Sequence, residues 1–305
     1  MPLRLTVAIA TCGRADALSR CLRAVGAQTR PPDEIIVVDQ DPSDEVRAVI
    51  RNCGLQVRHL EQERLGVSAS RNLALANARG DVLAITDDDC FADESWTAVI
   101  VQVLESDPSL AAVTGPVLPP SGERPRNMAA TSSRPSRDTV VYSAGADPWT
   151  VGSGGNFAAR VSELKAIGGW DERLGPGTLG MAAEDIDMFD RLLTAGARIC
   201  YDGRALVYHA WQTTERRKAT RWAYGFGIGA ICGLRFAARD AYGWRILGTY
   251  LGMKLRETRA EVRNRSWNGV RERLTTFTAV VPGCVYGMRA GSSGRRHIDF
   301  EGADN

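Results

Sequence analysis

Apolar residues in the first half of the chain follow two alternating periods. Runs of aliphatic, often β-branched residues at Leu5 to Ala10, Glu34 to Asp39, Val82 to Thr86 and Ala112 to Val117 are short and nearly continuous, as in strands buried on both faces. Between them Leu18, Cys21, Leu22 and Val25 recur at i, i+3, i+4 and i+7, which puts one apolar stripe on a helix from Ala15 to Gln28. Similar patterns predict helices from Val67 to Ala78 and from Glu94 to Leu104. This alternation predicts an α/β fold with a mainly parallel central sheet flanked by helices.

The periodicity stops around Pro119, Pro120, Ser121, Gly122, Pro125 and Pro135, so residues 119–148 are expected to form a long flexible surface loop. A glycine-rich turn at Gly152 to Gly155 follows, then short helices near Val161 to Ile167 and Glu184 to Leu193 and an apolar strand near Ile199 to Val207. From Arg216 the pattern is helical and basic, with Trp222, Phe226, Ile231, Leu234 and Phe236 set between arginines. The expected organisation is therefore 1–118, 119–210 and a helical C-terminal extension over 211–305.

With 305 residues, 44% hydrophobic and 24% charged, the chain can bury a large core and is neither a disordered tail nor a mini-protein. No apolar run approaches the roughly 20 residues of a membrane-spanning helix, and Leu5 to Ala10 is too short for a signal-peptide core. Seven scattered cysteines without a C-x-x-C pair suggest neither a disulfide framework nor a zinc knuckle, and a cytoplasmic location is expected. The net charge of +2 conceals an asymmetry. Residues 1–203 hold 20 Lys and Arg against 28 Asp and Glu, whereas residues 204–296 hold 18 against 5. That basic third is either a solvated helix face or, over Arg216 to Arg245, a dock for an anionic acceptor or a membrane surface, which would make the protein peripheral; no nucleic-acid partner is expected.

The sharpest chemical signal is Thr86-Asp87-Asp88-Asp89-Cys90, directly after an apolar strand. Three successive carboxylates repel one another, and a divalent cation or a network of donors would relieve that cost. Extended backbone points Asp87 and Asp89 to the same side, and Mn²⁺ or Mg²⁺ suits such hard oxygen donors better than zinc. A solvated acidic turn is the alternative, but ligands bind at the carboxyl ends of strands in α/β folds. The second signal is Ala183-Glu184-Asp185-Ile186-Asp187 at a helix start, with Gly168-Gly169 and Gly175-Pro176-Gly177 on its N-terminal side. Acidic residues there complement the helix dipole, and one could also serve as a base. The turn Thr11-Cys12-Gly13-Arg14 lacks the G-x-G-x-x-G of a dinucleotide fold, and the chain contains no P-loop and no G-x-S-x-G elbow. His59, His209 and His297 show no metal-ligand spacing.

Taken in order, these segments resemble the family 2 glycosyltransferases, inverting enzymes of GT-A fold, over roughly residues 3–210. The matching positions are Val7-Ala8-Ile9-Ala10-Thr11 with Arg14, Glu34 to Asp39, Gly66 to Asn72, Gly80-Asp81 before the strand ending in Asp87-Asp88-Asp89, Gly168-Gly169-Trp170-Asp171-Glu172, and Glu184-Asp185. The resemblance implies that residues 1–118 hold the nucleotide-sugar and 119–210 the acceptor. It implies that Thr11, Arg14, Asp39 and Arg71 line the nucleotide pocket, with Asp39 on the base, and that Asp87 and Asp88 approach the ribose. Asp89 and Asp87 would hold Mn²⁺ or Mg²⁺, with Asp88 as the other candidate for principal ligand. Asp185 would be the base, Glu184 its competitor, and Gly154, Gly155 and Asn156 would border the donor sugar.

Two departures qualify the match. Asp39-Gln40-Asp41-Pro42-Ser43 stands where the family commonly has Asp-Asp-Gly-Ser, and Lys218 precedes Arg221-Trp222 where processive members carry Q-x-x-R-W. A non-processive glycosyltransferase is therefore expected, using a UDP- or dTDP-sugar and a small-molecule, glycan or lipid-linked hydroxyl acceptor. The competing readings are a nucleotidyltransferase and a non-catalytic nucleotide or carbohydrate-binding module.

Overall fold

The computed structural model describes residues 2–130 and 136–292; residues 131–135 of the expected loop, and 293–305 with His297, lie outside the described residues. The chain opens with β1 (Leu5–Thr11), α1 (Ala15–Gly26), β2 (Glu34–Asp39), α2 (Asp44–Asn52), β3 (Val57–Glu61), α3 (Val67–Asn77), β4 (Val82–Asp87), β5 (Cys90–Ala92), α4 (Trp96–Ser106), β6 (Leu110–Thr114) and β7 (Val117–Leu118). There follow β8 (Met128–Ala129), β9 (Thr139–Tyr142), β10 (Asn156–Arg160), α5 (Val161–Ala166), α6 (Glu184–Thr194), β11 (Arg198–Asp202), β12 (Val207–His209) and β13 (Gln212–Thr213). Three long helices end the described chain: α7 (Thr214–Ala237), α8 (Tyr242–Arg263) and α9 (Trp267–Ser292).

Among the described residues the main sheet has the order β3-β2-β1-β4-β10-β6-β11-β9. Its first four strands are parallel, and β10 runs antiparallel between β4 and β6. The helices cover both faces, as the nearly continuous burial of β1, β4 and β6 requires. On one face Leu18, Cys21, Leu22 and Val25 of α1 meet Leu5, Val7 and Ile9; on the other Met188, Phe189, Leu192 and Leu193 of α6 meet Phe157 and Ile199. A small sheet β5-β12-β7 stands beside the carboxyl end of β4, with His209 opposite Cys90.

The structure revises three expectations. Segment 119–148 is not structureless: β8 pairs with β13, and β9 forms the edge of the main sheet against β11. The strand expected over 199–207 is two strands in different sheets, separated by a turn at Asp202 to Ala205. Most apolar residues between Arg216 and Arg245 also turn inward, while Trp244 and Tyr224 stay exposed. Ile231 and Leu234 are buried, and Trp222 stacks on Phe226, which packs against Tyr286 of α9.

The C-terminal helices join the body through glycines. Gly225, Gly229 and Gly233 of α7 lie against the backbone of α9, and Gly283 and Gly287 of α9 lie against that of α7. A Cβ at Gly229 would run into the Val280 carbonyl, so the two helices pack nearly backbone to backbone. Gly227 abuts Ala182 and Ala183 in the same way, at the start of α6. Arg235 of α7 pairs with Asp190 of α6 and, at 2.5 Å, with Asp240.

Candidate active site

A cleft of about 510 Å³ opens at the carboxyl ends of β1 and β4 and reaches α7. Thr11, Cys12, Arg14, Gln40, Val67 and Arg71 line it, together with Asp87, Asp89, Gly154, Gly155, Glu184 and Asp185. Trp211 and, from α7, Arg216, Thr220 and Tyr224 also line it. Its position follows from the topology: β1 and β4 are adjacent parallel strands, so their carboxyl ends, and the turns Thr11 to Arg14 and Asp87 to Asp89, emerge together.

Asp87, Asp88 and Asp89 part at the end of β4. Asp88 turns away from solvent, is fully buried, accepts from the Thr11 hydroxyl at 2.8 Å and pairs with Arg14. Burial pushes its carboxyl up to about 6, against the pull of Arg14. Asp87 and Asp89 face the cleft, with Arg14 donating to Asp89 at 2.9 Å. Oxygens of these two carboxylates, the Cys90 sulfur and a ring nitrogen of His209 lie within 4.8 Å of one another.

His209 is the residue that sequence spacing missed, since the β5–β12 register brings it from far along the chain. Its Nδ1 lies 2.9 Å from the Ala210 carbonyl, which can only accept, so Nδ1 carries a proton, and in the neutral ring Nε2 keeps its lone pair. That Nε2 faces Asp89 Oδ1 at 3.3 Å. Two acceptors so placed need a proton or a cation between them, and carboxylate oxygens with an imidazole nitrogen fit a divalent ion. Gly155 leaves the room: a Cβ there would stand 2.6 Å from Asp87 Oδ2.

The second acidic motif opens α6. Ala183, in the N-cap position, has φ +68°, a left-handed conformation rare for a residue with a Cβ. Asp185 is buried, and both its oxygens accept backbone N–H groups, Gly154 at 3.0 Å and Ile186 at 2.8 Å. Burial raises its pKa, opposed by those donors and by Arg71. Glu184 accepts from Arg71 at 2.9 Å, and burial, then the charge of Asp185, pushes its carboxyl up to about 7. Tyr224 of α7 lines the cleft here; the charge of Asp185, together with burial, holds its phenol protonated.

Arg71 is buried and also reaches Asp87 at 3.3 Å, so one guanidinium joins both acidic motifs. Thr11, Arg14, Asp87, Asp89, Gly154, Gly155, Glu184 and Asp185 thus line one cleft together. Asp39, Asp88 and Asn156 lie behind its wall. Asp39 is fully buried, with His59 Nε2 at 3.3 Å and the Asp41 N–H at 3.1 Å. For Asn156 the expected sugar contact is corrected: its oxygen accepts from Trp96 at 2.8 Å and its amide donates to the Pro116 and Ala205 carbonyls. That leaves its side-chain donors fully used inside the protein.

The sequence profile described as Glycosyl transferase family 2 matches residues 6–168. The chain is 27% identical over 239 residues to an O-antigen chain rhamnosyltransferase of Salmonella typhimurium, covering 75% of this chain and 73% of that one. It is 25% identical over 223 residues to a glucosyl-dolichyl phosphate glucuronosyltransferase of Haloferax volcanii, covering 68% and 69%. Among solved structures, a mannosyltransferase of Pyrobaculum calidifontis in complex with GDP-Man and Mn²⁺ superposes with a TM-score of 0.65 at 20% identity, covering 93% of this chain and 87% of that one. The family match over more than half of the chain and the shared sheet-and-helix architecture lead to one conclusion: the chain belongs to glycosyl transferase family 2 and is a glycosyltransferase of GT-A fold.

Proposed function

We propose that this enzyme is a divalent-metal-dependent, inverting glycosyltransferase. It takes its sugar from a nucleoside diphosphate, UDP- or dTDP-linked ahead of GDP-linked, and its acceptor is a hydroxyl of a glycan or lipid-linked sugar. The observation that carries this reading is the cleft in which Arg71 links Asp87 at a strand end to Glu184 at a helix start, with Asp185 beside it. Relatives named for an O-antigen chain and a glucosyl-dolichyl phosphate support the acceptor class, and a fold neighbour solved with GDP-Man and Mn²⁺ supports the donor class and the ion.

In this reading Thr11, Arg14 and Gln40 border the nucleotide, with Asp39 behind them on the base side. Asp87, Asp89 and His209 would hold a divalent ion, which would supply neutralisation of charge on the departing diphosphate. Asp185 receives the proton of the acceptor hydroxyl on a lone pair its two amide donors leave free. As that oxygen bonds to the anomeric carbon from the opposite face, the carbon–phosphate oxygen bond breaks and its electron pair leaves with the diphosphate. Gly154 and Ile186 hold the base in orientation, and Arg71 keeps Glu184 paired beside it.

Thermal shift with UDP-, dTDP- and GDP-sugars, each with Mn²⁺ and with chelator, tests the reading, because a ligand of the native state alone raises the unfolding temperature. One nucleotide should stabilise the protein, and only with the ion. No shift with any of the three, or equal shifts with chelator, removes the metal-dependent donor site.

A further inference from the structure

The outward face of α9 has a composition unlike the rest of the surface. Trp267, Leu274, Val281, Val285 and Met288 recur at spacings of seven, seven, four and three, which places them on one helical face. All are exposed, Val281 at 68% and Trp267 at 67%, whereas Thr276, Ala279, Val280, Gly283 and Gly287 on the other face are buried against the body. From Leu274 to Met288 the chain carries no charge. Arg271 precedes this stretch and Arg289 follows it, both exposed.

The neighbouring charges sort by sign. Between Tyr242 and Ser292 stand nine Lys and Arg against three Glu. Each of those glutamates is paired within the helical extension: Glu257 with Lys254 and Arg273 at 3.0 Å, Glu261 with Arg273 at 3.5 Å, Glu272 with Arg217 at 3.8 Å. Exposed positions on α8 include Arg256, Arg259 and Arg263. An apolar strip with basic borders and inward-neutralised acids is the charge pattern of a helix lying in the plane of an anionic bilayer surface. No helix among the described residues is long and apolar enough to cross a membrane. A second copy of the chain fits less well, because pairing this face with itself would bring like-charged arginines together.

We infer that α9 docks the enzyme on an anionic lipid surface through Trp267, Leu274, Val281, Val285 and Met288, with Arg271 on the headgroups. Because α9 is packed through glycines onto α7, and α7 lines the cleft, docking fixes the cleft relative to the lipid surface. The benefit for a lipid-borne acceptor rests on the function proposed above; the docking itself does not.

The full chain is pelleted with vesicles of phosphatidylcholine alone and of phosphatidylcholine with phosphatidylglycerol, at low and raised salt. Wild-type protein should pellet with the anionic vesicles only, less at raised salt. Val281→Glu with Val285→Glu should reduce pelleting by about tenfold or more, since two like charges are brought to the surface, while the unfolding temperature and nucleotide binding stay at wild-type values. Arg271→Glu, on the same face, gives an independent loss should the double variant fold poorly. Wild-type protein that stays in solution with both vesicle types overturns the inference, as does undiminished pelleting of the variants. A dimer in sedimentation equilibrium that the double variant lacks, without vesicle binding, reassigns the face to a second copy. Nucleotide binding measured on the same samples separates loss of this surface from loss of the glycosyl-transfer reading.

Discussion

Arg71 donates to Glu184 at 2.9 Å from inside the protein and is the physical link between two acidic motifs more than ninety residues apart in sequence. Even so, burial and Asp185 prevail over Arg71, and the Glu184 carboxyl stands at about 7 instead of its ordinary 4.5. The unfolded chain therefore loses this proton first. Between about pH 4.5 and 7 the folded state binds more protons, so this contribution to stability is full below that window and is lost as pH rises through it. In chelator, the unfolding temperature of wild-type protein should fall across the window more steeply than that of Glu184→Gln. Parallel curves would remove the raised Glu184 from the account.

Gly154 and Gly155 separate the two halves of the site. A Cβ at Gly155 would stand 2.6 Å from Asp87 Oδ2, whereas one at Gly154 would meet Asp185 Cβ at 3.0 Å and Arg71 at 3.2 Å. Gly155→Ala should therefore weaken Mn²⁺ binding by about 10–100-fold, the range for disturbing a ligand's support. Gly154→Ala should reduce kcat with Mn²⁺ binding little changed. Calorimetric titration of the ion and steady-state rates on both variants check the division; the same defect in both would mean that the turn acts only as a unit.

Metal-linked nucleotide binding gives a third test. Asp89→Ala should abolish the strengthening of nucleoside diphosphate binding by Mn²⁺, and His209→Ala should weaken it by about 10–100-fold. With imidazole among the donors, Mn²⁺ should strengthen nucleotide binding more than Mg²⁺ does. Calorimetry with each ion and with chelator reads all three outcomes, and a His209→Ala protein indistinguishable from wild type would limit the site to carboxylates.

The parts of this molecule legible in its sequence are those whose information is local. Strands β1, β2 and β4 are continuous apolar runs, and α1 carries a full stripe at helical spacing. Strand β3 escapes because Val57 to Glu61 is a half-exposed edge with only two aliphatic residues, and α2 because it buries only Val46 and Ile50. The two acidic motifs are contiguous and so stand out, while His209 enters only through the pairing of β12 with β5. Asn156 shows the opposite error. It follows Gly154 and Gly155 in sequence, but β10 begins there and its side chain goes to Trp96 behind the cleft wall. The docking face of α9 is similarly unreadable until α7 is seen to occupy the opposite face.

The assignment of the base to Asp185 makes the most specific demand on the structure. A base needs a free lone pair within hydrogen-bond reach of the acceptor hydroxyl and a carboxylate held in one orientation. Asp185 lines the cleft and accepts from Gly154 and Ile186, one N–H on each oxygen, whereas Glu184 is engaged by Arg71. Asp185→Asn should lower kcat by about 10²-fold or more, because the amide cannot take the proton. The variant is not silent in stability, however. An amide offers one acceptor oxygen, so its NH₂ must face either the Gly154 or the Ile186 N–H, and a loss of about 1–3 kcal/mol is expected for the buried donor left unpaired. Donor affinity, measured by calorimetry well below the variant's unfolding temperature, should change little, since the proton moves only in the transition state. A rate loss confined to kcat assigns the base to Asp185. Wild-type turnover by Asp185→Asn together with an inactive Glu184→Gln moves the assignment to Glu184, and turnover by both variants excludes a carboxylate base at the start of α6.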